Sequence, residues 1–272
     1  MRITSLVENT SAKGFSVEHG LSLFIETDGG CRILFDMGQG SLFASNAKRA
    51  GIDPSEADLA IVSHGHYDHG GGLATYLSLP GNAPVYIHKE AFEPHYSLRE
   101  TGLHYIGLDP ELADNKRLVF CSGQQNIGPG LTLFSDVTGT ICTPFGNRLL
   151  FGPTREQNDT FRHEQNLIIS EDGHDTVIAG CAHAGIVNIL HRAEQIIGRP
   201  PTHVLAGMHL VKSGLTPAEE DTFIQHLATS LGAYPLCRFY TMHCTGSEAY
   251  HKLKKLLGEK ISYLACGDSI EY

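Results

Sequence analysis

The sequence predicts an α/β protein, and three observations carry that prediction. Short runs rich in Val, Ile, Leu and Phe recur along the whole 272-residue chain. Between the later runs lie stretches with apolar residues at helical spacing. A cluster of histidines and an aspartate, "HGHYDH" at residues 64–69, follows an apolar run directly and precedes three glycines. That is the strand-end position at which α/β folds commonly place their chemistry.

The first strand-like runs are "GLSLFIET" (20–27) and "RILFDMG" (32–38), joined by "DGG", a hairpin-turn signal. "DLAIVSHG" (58–65) and "APVYIHK" (83–89) come next, then "LTLFSDV", "QNLIIS", "DTVIAGCAH", "THVLAGMHL", "CRFYTMHC" and "ISYLACG". "GIVNILHRAEQIIG" sets Ile186, Leu190, Ala193 and Ile197 on one helical face. "TPAEEDTFIQHLATSLG" opens with Thr216 as N-cap, Pro217 in the first helical position and Glu219 at the capping-box position. It aligns Phe223, Leu227 and Leu231, and Gly232 suits its end. "SEAYHKLKKLLG" reads as a shorter helix with Lys254 and Lys255 at the end that favours cations. The first part is thus strand-rich, and strands alternate with helices from about Gln165 onward. No linker or short-period repeat divides the chain, so a single domain over 1–272 is expected. The irregular stretch 143–165, rich in Pro, Gly, Asn and Asp, reads as a long loop of the kind that often carries function.

Composition excludes several classes. A net charge of −10 argues against a general nucleic-acid binder, which needs a basic face. No run approaches the ~20 apolar residues of a membrane span, and the N-terminus shows no secretory pattern. The seven cysteines are scattered, odd in number and never form C-x-x-C. They read as reduced thiols of a cytoplasmic protein rather than a disulfide framework. Histidine is the unusual residue, with 16 copies, several just after apolar runs.

In the opening cluster, His64 and His66 are two apart, so an extended backbone points both to one side. Asp68 and His69 follow in the same loop. Neutral imidazoles with a carboxylate suit Zn, Fe or Mn, and gathering four such groups without an ion is costly.

H-x-H-x-D-H after an apolar strand, here His64, His66, Asp68 and His69, resembles the signature of the metallo-β-lactamase superfamily. The resemblance extends over nearly the whole chain: "FDMG" (35–38) looks like the early motif in which Asp36 supports the ligand loop, and "TVIAGCAHAG" and "TMHCTG" look like later ligand motifs. It implies an αββα sandwich of two similar halves with two divalent metal ions, zinc in the first place and manganese or iron as alternatives. His64 and His66 would bind the first ion, with His183 as its later ligand. Asp68 and His69 would bind the second, with His243. The usual "GHTPG" and "GD" strings are missing. His163 stands loosely in place of the first. Cys181 stands where the bridging aspartate of the second would be, either as a thiolate ligand or as a packed thiol.

"GCAHAGIVNIL" and "GMHL" resemble a branch that includes dihydropterin-methyl ribofuranosyl-aminobenzene phosphate synthases. The implied activity is metal-dependent hydrolysis of a small phosphorylated aromatic or heterocyclic substrate. The alternative is a transferase that joins a pterin-methyl diphosphate to an arylamine ribose phosphate. A paired cation site serves either reaction, because two ions activate a nucleophile and hold attacking and leaving oxygens. Asp68 would orient the nucleophile, His209 would bind phosphate or donate a proton, and Arg148, Arg155 or Arg162 would meet substrate charge. A diiron redox protein is the third reading. Such relatives carry Glu where His66 stands and add a flavodoxin-like domain, so it is the weakest. A small-molecule substrate is the expected partner, with no nucleic acid and no membrane.

Overall fold

The computed structural model describes residues 1–11, 13–211 and 214–272. Its strands are β1 (Arg2–Val7), β2 (Ser22–Glu26), β3 (Arg32–Phe35), β4 (Leu59–Val62), β5 (Val85–His88), β6 (Tyr96–Arg99), β7 (Gly102–Tyr105) and β8 (Leu118–Cys121). They continue with β9 (Gln124–Gly128), β10 (Leu131–Phe134), β11 (Leu150–Phe151), β12 (Asn166–Glu171), β13 (His174–Ala179), β14 (His203–Ala206), β15 (Arg238–Thr241), β16 (Ile261–Tyr263) and β17 (Ser269–Glu271). The helices are α1 (Leu42–Ala50), α2 (Tyr67–Gly70), α3 (Leu73–Ser78), α4 (Ile186–Ile197), α5 (Pro217–Gly232) and α6 (Ser247–Leu257).

These elements form two compact units interleaved in sequence. The first comprises Met1–Ser122, Phe151–Gln165 and Leu264–Tyr272, and the second Gly123–Leu150 and Asn166–Tyr263. The first unit's sheet has seven strands in the order β17-β1-β2-β3-β4-β5-β8. Pairing is antiparallel from β17 to β3 and parallel from β3 to β8. The "DGG" hairpin is present: Leu23 pairs with Phe35, and Gly30 turns the chain at φ 85°. β4, "LAIV", is buried at all four positions, as a parallel strand covered on both faces must be. The core around it includes Leu6, Leu34, Phe43, Ile87 and Leu118. A hairpin of β6 and β7, which the apolar pattern does not announce, fills the crossover between β5 and β8; its burial alternates weakly and half its residues are exposed.

The second unit's sheet also has seven strands, in the order β16-β15-β14-β13-β12-β10-β9. Its four parallel strands run from β16 to β13 and its antiparallel part from β13 to β9. The three helices follow the sequence expectations closely. α4 buries Ile186, Leu190 and Ala193. α5 carries the reciprocal capping box of Thr216 and Glu219, with Pro217 in its first turn. α6 ends at Gly258 with Lys254 and Lys255 in its last turn. They pack on a core that includes Val177, Val204, Leu227, Phe239 and Leu253. No helix among the described residues is long and apolar enough to cross a membrane.

Candidate metal centre

The four ligand candidates of the first unit follow the end of one parallel strand, β4. β4 gives way to Ser63 and His64, and His66 is still extended at φ −97°, ψ 145°, so His64 and His66 stay on one side of the chain. The chain then turns into α2, which carries Asp68 and His69. The turn works only because glycines let backbone approach backbone. A Cβ on Gly65 would overlap the Ala91 carbonyl, and one on Gly72 would overlap that of Met37.

Asp36, fully buried one residue past β3, organises this loop. Its Oδ1 accepts the Ser63 N–H at 2.7 Å, and its Oδ2 accepts the Ser63 hydroxyl at 2.7 Å and the His69 Nδ1–H at 2.6 Å. Because the Ser63 hydroxyl donates to Asp36, its oxygen is left to accept the His64 Nδ1–H, at 2.9 Å. Both rings are thereby set in one tautomer, with Nε2 as the unprotonated nitrogen. This is the carboxylate-backed imidazole of metal sites, direct for His69 and relayed through a hydroxyl for His64. Asp36 holds φ 60°, a left-handed conformation costing about 1 kcal/mol or more for a non-glycine residue.

His64 Nε2 and His66 Nδ1 lie 3.0 Å apart. Two nitrogens bound to one tetrahedral ion at ~2.0–2.1 Å would be about 3.3 Å apart, so the pair fits with little adjustment. Burial, reinforced by nearby His163, keeps His66 well below the ordinary imidazole range and therefore neutral, the form a metal needs. Asp68 Oδ2 lies 4.0 Å from His69 Nε2 and 3.1 Å from the Nε2 of half-exposed His19. The donor set fits a divalent transition ion.

Behind His66 stands a group that the sequence reading did not assemble. Asp159 Oδ2 accepts His95 Nδ1–H at 2.8 Å and His163 Nε2–H at 3.2 Å. His163 Nδ1 in turn accepts the Gly65 N–H at 2.9 Å, tying this group to the ligand loop. Burial works against the Asp159 charge, but the bonds from His163 and His95 overcome it and hold the carboxyl well below its usual range. His95 Nε2, its second nitrogen, is buried without a hydrogen-bond partner. Ligand atoms of His66, His95, Asp159 and His163 lie within 4.8 Å of one another.

The second unit builds its own group, again at parallel strand ends. Asn147 clamps His183 twice: the His183 Nδ1–H donates to Asn147 Oδ1 at 2.9 Å, and Asn147 Nδ2–H donates to the His183 carbonyl at 2.8 Å. That fixes Nε2 as the lone-pair nitrogen. His209 follows β14 at φ 46°, its ring 4.4 Å from that of His183 and its Nδ1 buried without a hydrogen-bond partner. His243 is fully buried in a single 3₁₀ turn after β15. Cys181 and Cys244 are buried in the same region, and their thiols group with these imidazoles. Burial alone would raise the Cys244 thiol, but hydrogen bonds from Cys181 and His209, with the charge of His243, bring it well below the usual thiol range. Cys244 is a residue that sequence reasoning passed over, although it adjoins His243.

The three loop arginines part company. Arg148 lies over the Phe145 ring at 4.6 Å and lines a cavity of about 510 Å³ with Phe145, Phe223 and His226. Arg155 donates to the Tyr96 hydroxyl at 2.9 Å and stacks on its ring, and Arg162 pairs with Glu90 at 3.0 Å.

The strand order, the Asp36-backed histidine loop and its fit to a transition ion define a metal-binding α/β protein. The metallo-β-lactamase superfamily model matches residues 16–196, and the chain belongs to that superfamily. It is similar to the crystal structure of a metal-dependent hydrolase of the β-lactamase superfamily, with a TM-score of 0.83 and 32% identity over 100% of this chain and 99% of that one. It is 26% identical to the 7,8-dihydropterin-6-methyl-4-(β-D-ribofuranosyl)-aminobenzene-5′-phosphate synthase of Methanocaldococcus jannaschii, covering 95% of this chain and 91% of the synthase. An uncharacterized protein of the same organism is 29% identical, with 93% and 94% covered.

Proposed function

We propose that this protein is a dinuclear metal-dependent hydrolase of a small phosphorylated substrate bearing an aromatic or heterocyclic ring. The observation that carries the reading is the locked loop, in which Asp36 and Ser63 bind the Nδ1 atoms of His69 and His64 and so fix Nε2 as the unprotonated nitrogen of each. His64, His66, Asp68 and His69 are the proposed ligands in the first unit, and His183 and His243 those in the second. Divalent ions held there would activate a water nucleophile and draw charge off the reacting phosphate.

The chain's own residues do the rest. Asp68, whose Oδ2 lies 3.1 Å from His19 Nε2, accepts a proton from the attacking group and orients it. His209 lines a small pocket with Phe145, Phe223 and Ile224, where a protonated nitrogen donates to a phosphate oxygen. Arg148 offers a planar cation beside Phe145, a pairing suited to an anionic group attached to a flat ring. Arg155, on the Tyr96 ring, and Arg162, paired with Glu90, are the other cations proposed for substrate contact.

The relationship to a pterin-phosphate synthase supports a second reading. There an arylamine replaces water as nucleophile, the bond from the pterin methylene to diphosphate breaks, and diphosphate leaves. A panel of phosphomonoesters, phosphodiesters, lactams, thioesters and a pterin-methyl diphosphate with and without an arylamine separates the two. Turnover of phosphoesters by water supports the hydrolase, whereas diphosphate released only with the amine present supports the synthase. Preference for a lactam or thioester refutes both. In the same assay His209→Ala should cost about 2–4 kcal/mol of transition-state stabilisation, the value of one well-placed donor, with metal content unchanged.

A further inference from the structure

We propose that Cys181 and Cys244 are metal ligands: their thiolates, with the imidazole of His243, form a sulfur-rich metal site at the strand ends of the second unit. The inference rests on the metal-dependent reading, decides the open role of Cys181, and adds Cys244, which no family motif supplies.

The three ligand atoms lie within 4.8 Å of one another, and all three residues are buried. They converge from two strands that are not neighbours. Cys181 follows β13, and His243 and Cys244 follow β15, with β14 between them in the sheet. For the sulfurs to meet, something must cross the end of β14, and the residue there is Gly207. A Cβ on Gly207 would sit 2.6 Å from Cys244 Sγ and 2.7 Å from the Gly180 carbonyl oxygen. Gly207 is absent from the positive-φ glycines, so its backbone does not demand glycine. The requirement is space, and the space is occupied by the Cys244 sulfur.

A second feature brings adjacent side chains to one point. In extended chain, His243 and Cys244 would face opposite sides. His243 instead takes φ 51° and opens a 3₁₀ turn, so both join the same group. A strained conformation of this kind costs on the order of 1 kcal/mol or more, which packing of a small thiol does not require. A third feature concerns the sulfur itself. Cys244 Sγ accepts the backbone N–H of His209 at 3.2 Å, the kind of contact that stabilises and tunes a metal-bound thiolate. Sγ is also 3.8 Å from the Cys181 carbonyl oxygen, where a protonated thiol would donate weakly. Two sulfurs and an imidazole favour zinc, iron or another thiophilic ion over magnesium, calcium or manganese.

The test is titration of the metal-stripped full chain with cobalt(II) alone, followed by optical spectroscopy. The expected result is visible d–d absorption together with an intense near-ultraviolet sulfur-to-cobalt charge-transfer band. Cys181→Ser and Cys244→Ser should each remove about half of that band, while Cys237→Ser, at a buried thiol outside the group, leaves it intact. X-ray absorption of the zinc-loaded, unmutated chain decides the matter even where a variant fails to fold: sulfur scatterers near 2.3 Å are expected, the usual distance being about 2.3 Å. Cobalt bound with d–d absorption and only nitrogen and oxygen neighbours overturns the thiolate assignment and leaves the metal-dependent reading standing. A chain that binds no cobalt overturns both.

Discussion

The two sheets repeat one plan and spend it differently. Each has three antiparallel pairings followed by three parallel ones, so β3, β4 and β5 in the first unit match β13, β14 and β15 in the second. In the second unit the crossovers between parallel strands are full helices of 12, 16 and 11 residues. In the first, the crossover after β4 is given over to the ligand loop, and its helices shrink to 4 and 6 residues. One half therefore concentrates its donors in a contiguous loop backed by a carboxylate. The other distributes its donors over three strand ends and backs them with an amide and backbone groups. Left-handed non-glycine residues mark the strand ends of both: Asp36 in the first, and Ala182, His209 and His243 in the second. Strain at corresponding places in both halves is what strand ends shaped for ligands, rather than for packing, would carry.

The largest expected effect tests the contiguous half. His64→Ala combined with Asp68→Ala removes one donor from each side of α2's start. The double variant should lose bound metal, read by elemental analysis, and at least about 1,000-fold in turnover, several kcal/mol of barrier. A metal-free variant that retains activity would end the metal-dependent reading.

A smaller effect compares the two kinds of backing. Asp36→Asn keeps the shape but cannot accept from Ser63 and His69 as a carboxylate does, and its amide N–H₂ faces donors. Asn147→Ala removes a neutral clamp on His183. Both residues orient rather than bind, for which losses of about 10–100-fold in metal affinity are usual. The charged acceptor makes the stronger bonds, so Asp36→Asn should fall near the upper end and Asn147→Ala near the lower, measured by competition with a chromophoric chelator. Equal losses would show that the two halves back their donors alike.

The same contrast explains what the sequence discloses. His64, His66, Asp68 and His69 are legible because they lie within six residues and carry a motif. Asp36 is legible through the resemblance of "FDMG" to the early motif of the superfamily. The helices of the second unit are legible through their caps and spacing, since these local signals are also what stabilise them. The His95–Asp159 bond spans 64 residues, and no local pattern ties a histidine before β6 to an aspartate in an irregular loop. Cys244 was hidden by its chemistry instead: a lone buried thiol reads as a small hydrophobe, and only the third dimension brings Cys181 beside it. The β6–β7 hairpin is not legible because its strands are half-exposed and lack a clean alternation. Resemblance supplied the roles of His183 and His243, whose own neighbourhoods, a strand followed by a turn, are shared by many structural histidines.

The smallest effect concerns the opposite end of β14, and it separates histidines that serve stability from those that serve chemistry. His203 is the first residue of the strand whose far end leads to His209. Burial, with His174 and Arg238 beside it, pushes His203 down to about 4. Its ring packs 5.8 Å from that of His174, and its Nδ1 lies 3.0 Å from the Thr202 hydroxyl. The folded chain thus holds His203 neutral at pH values where the unfolded chain, with a histidine near 6.5, takes up a proton. Folded-state depression means that its contribution is fully present above about pH 6.5 and is lost as the pH falls toward 4. His203→Gln removes that titration. Between pH 7.5 and 4.5 the natural chain should therefore lose on the order of 1–2 kcal/mol more stability than the variant, measured by urea unfolding at both pH values. Cobalt binding at pH 7.5 should be the same in both, because the substituted ring sits at the strand end away from the donors. A variant with altered metal affinity would show instead that both ends of β14 serve the centre.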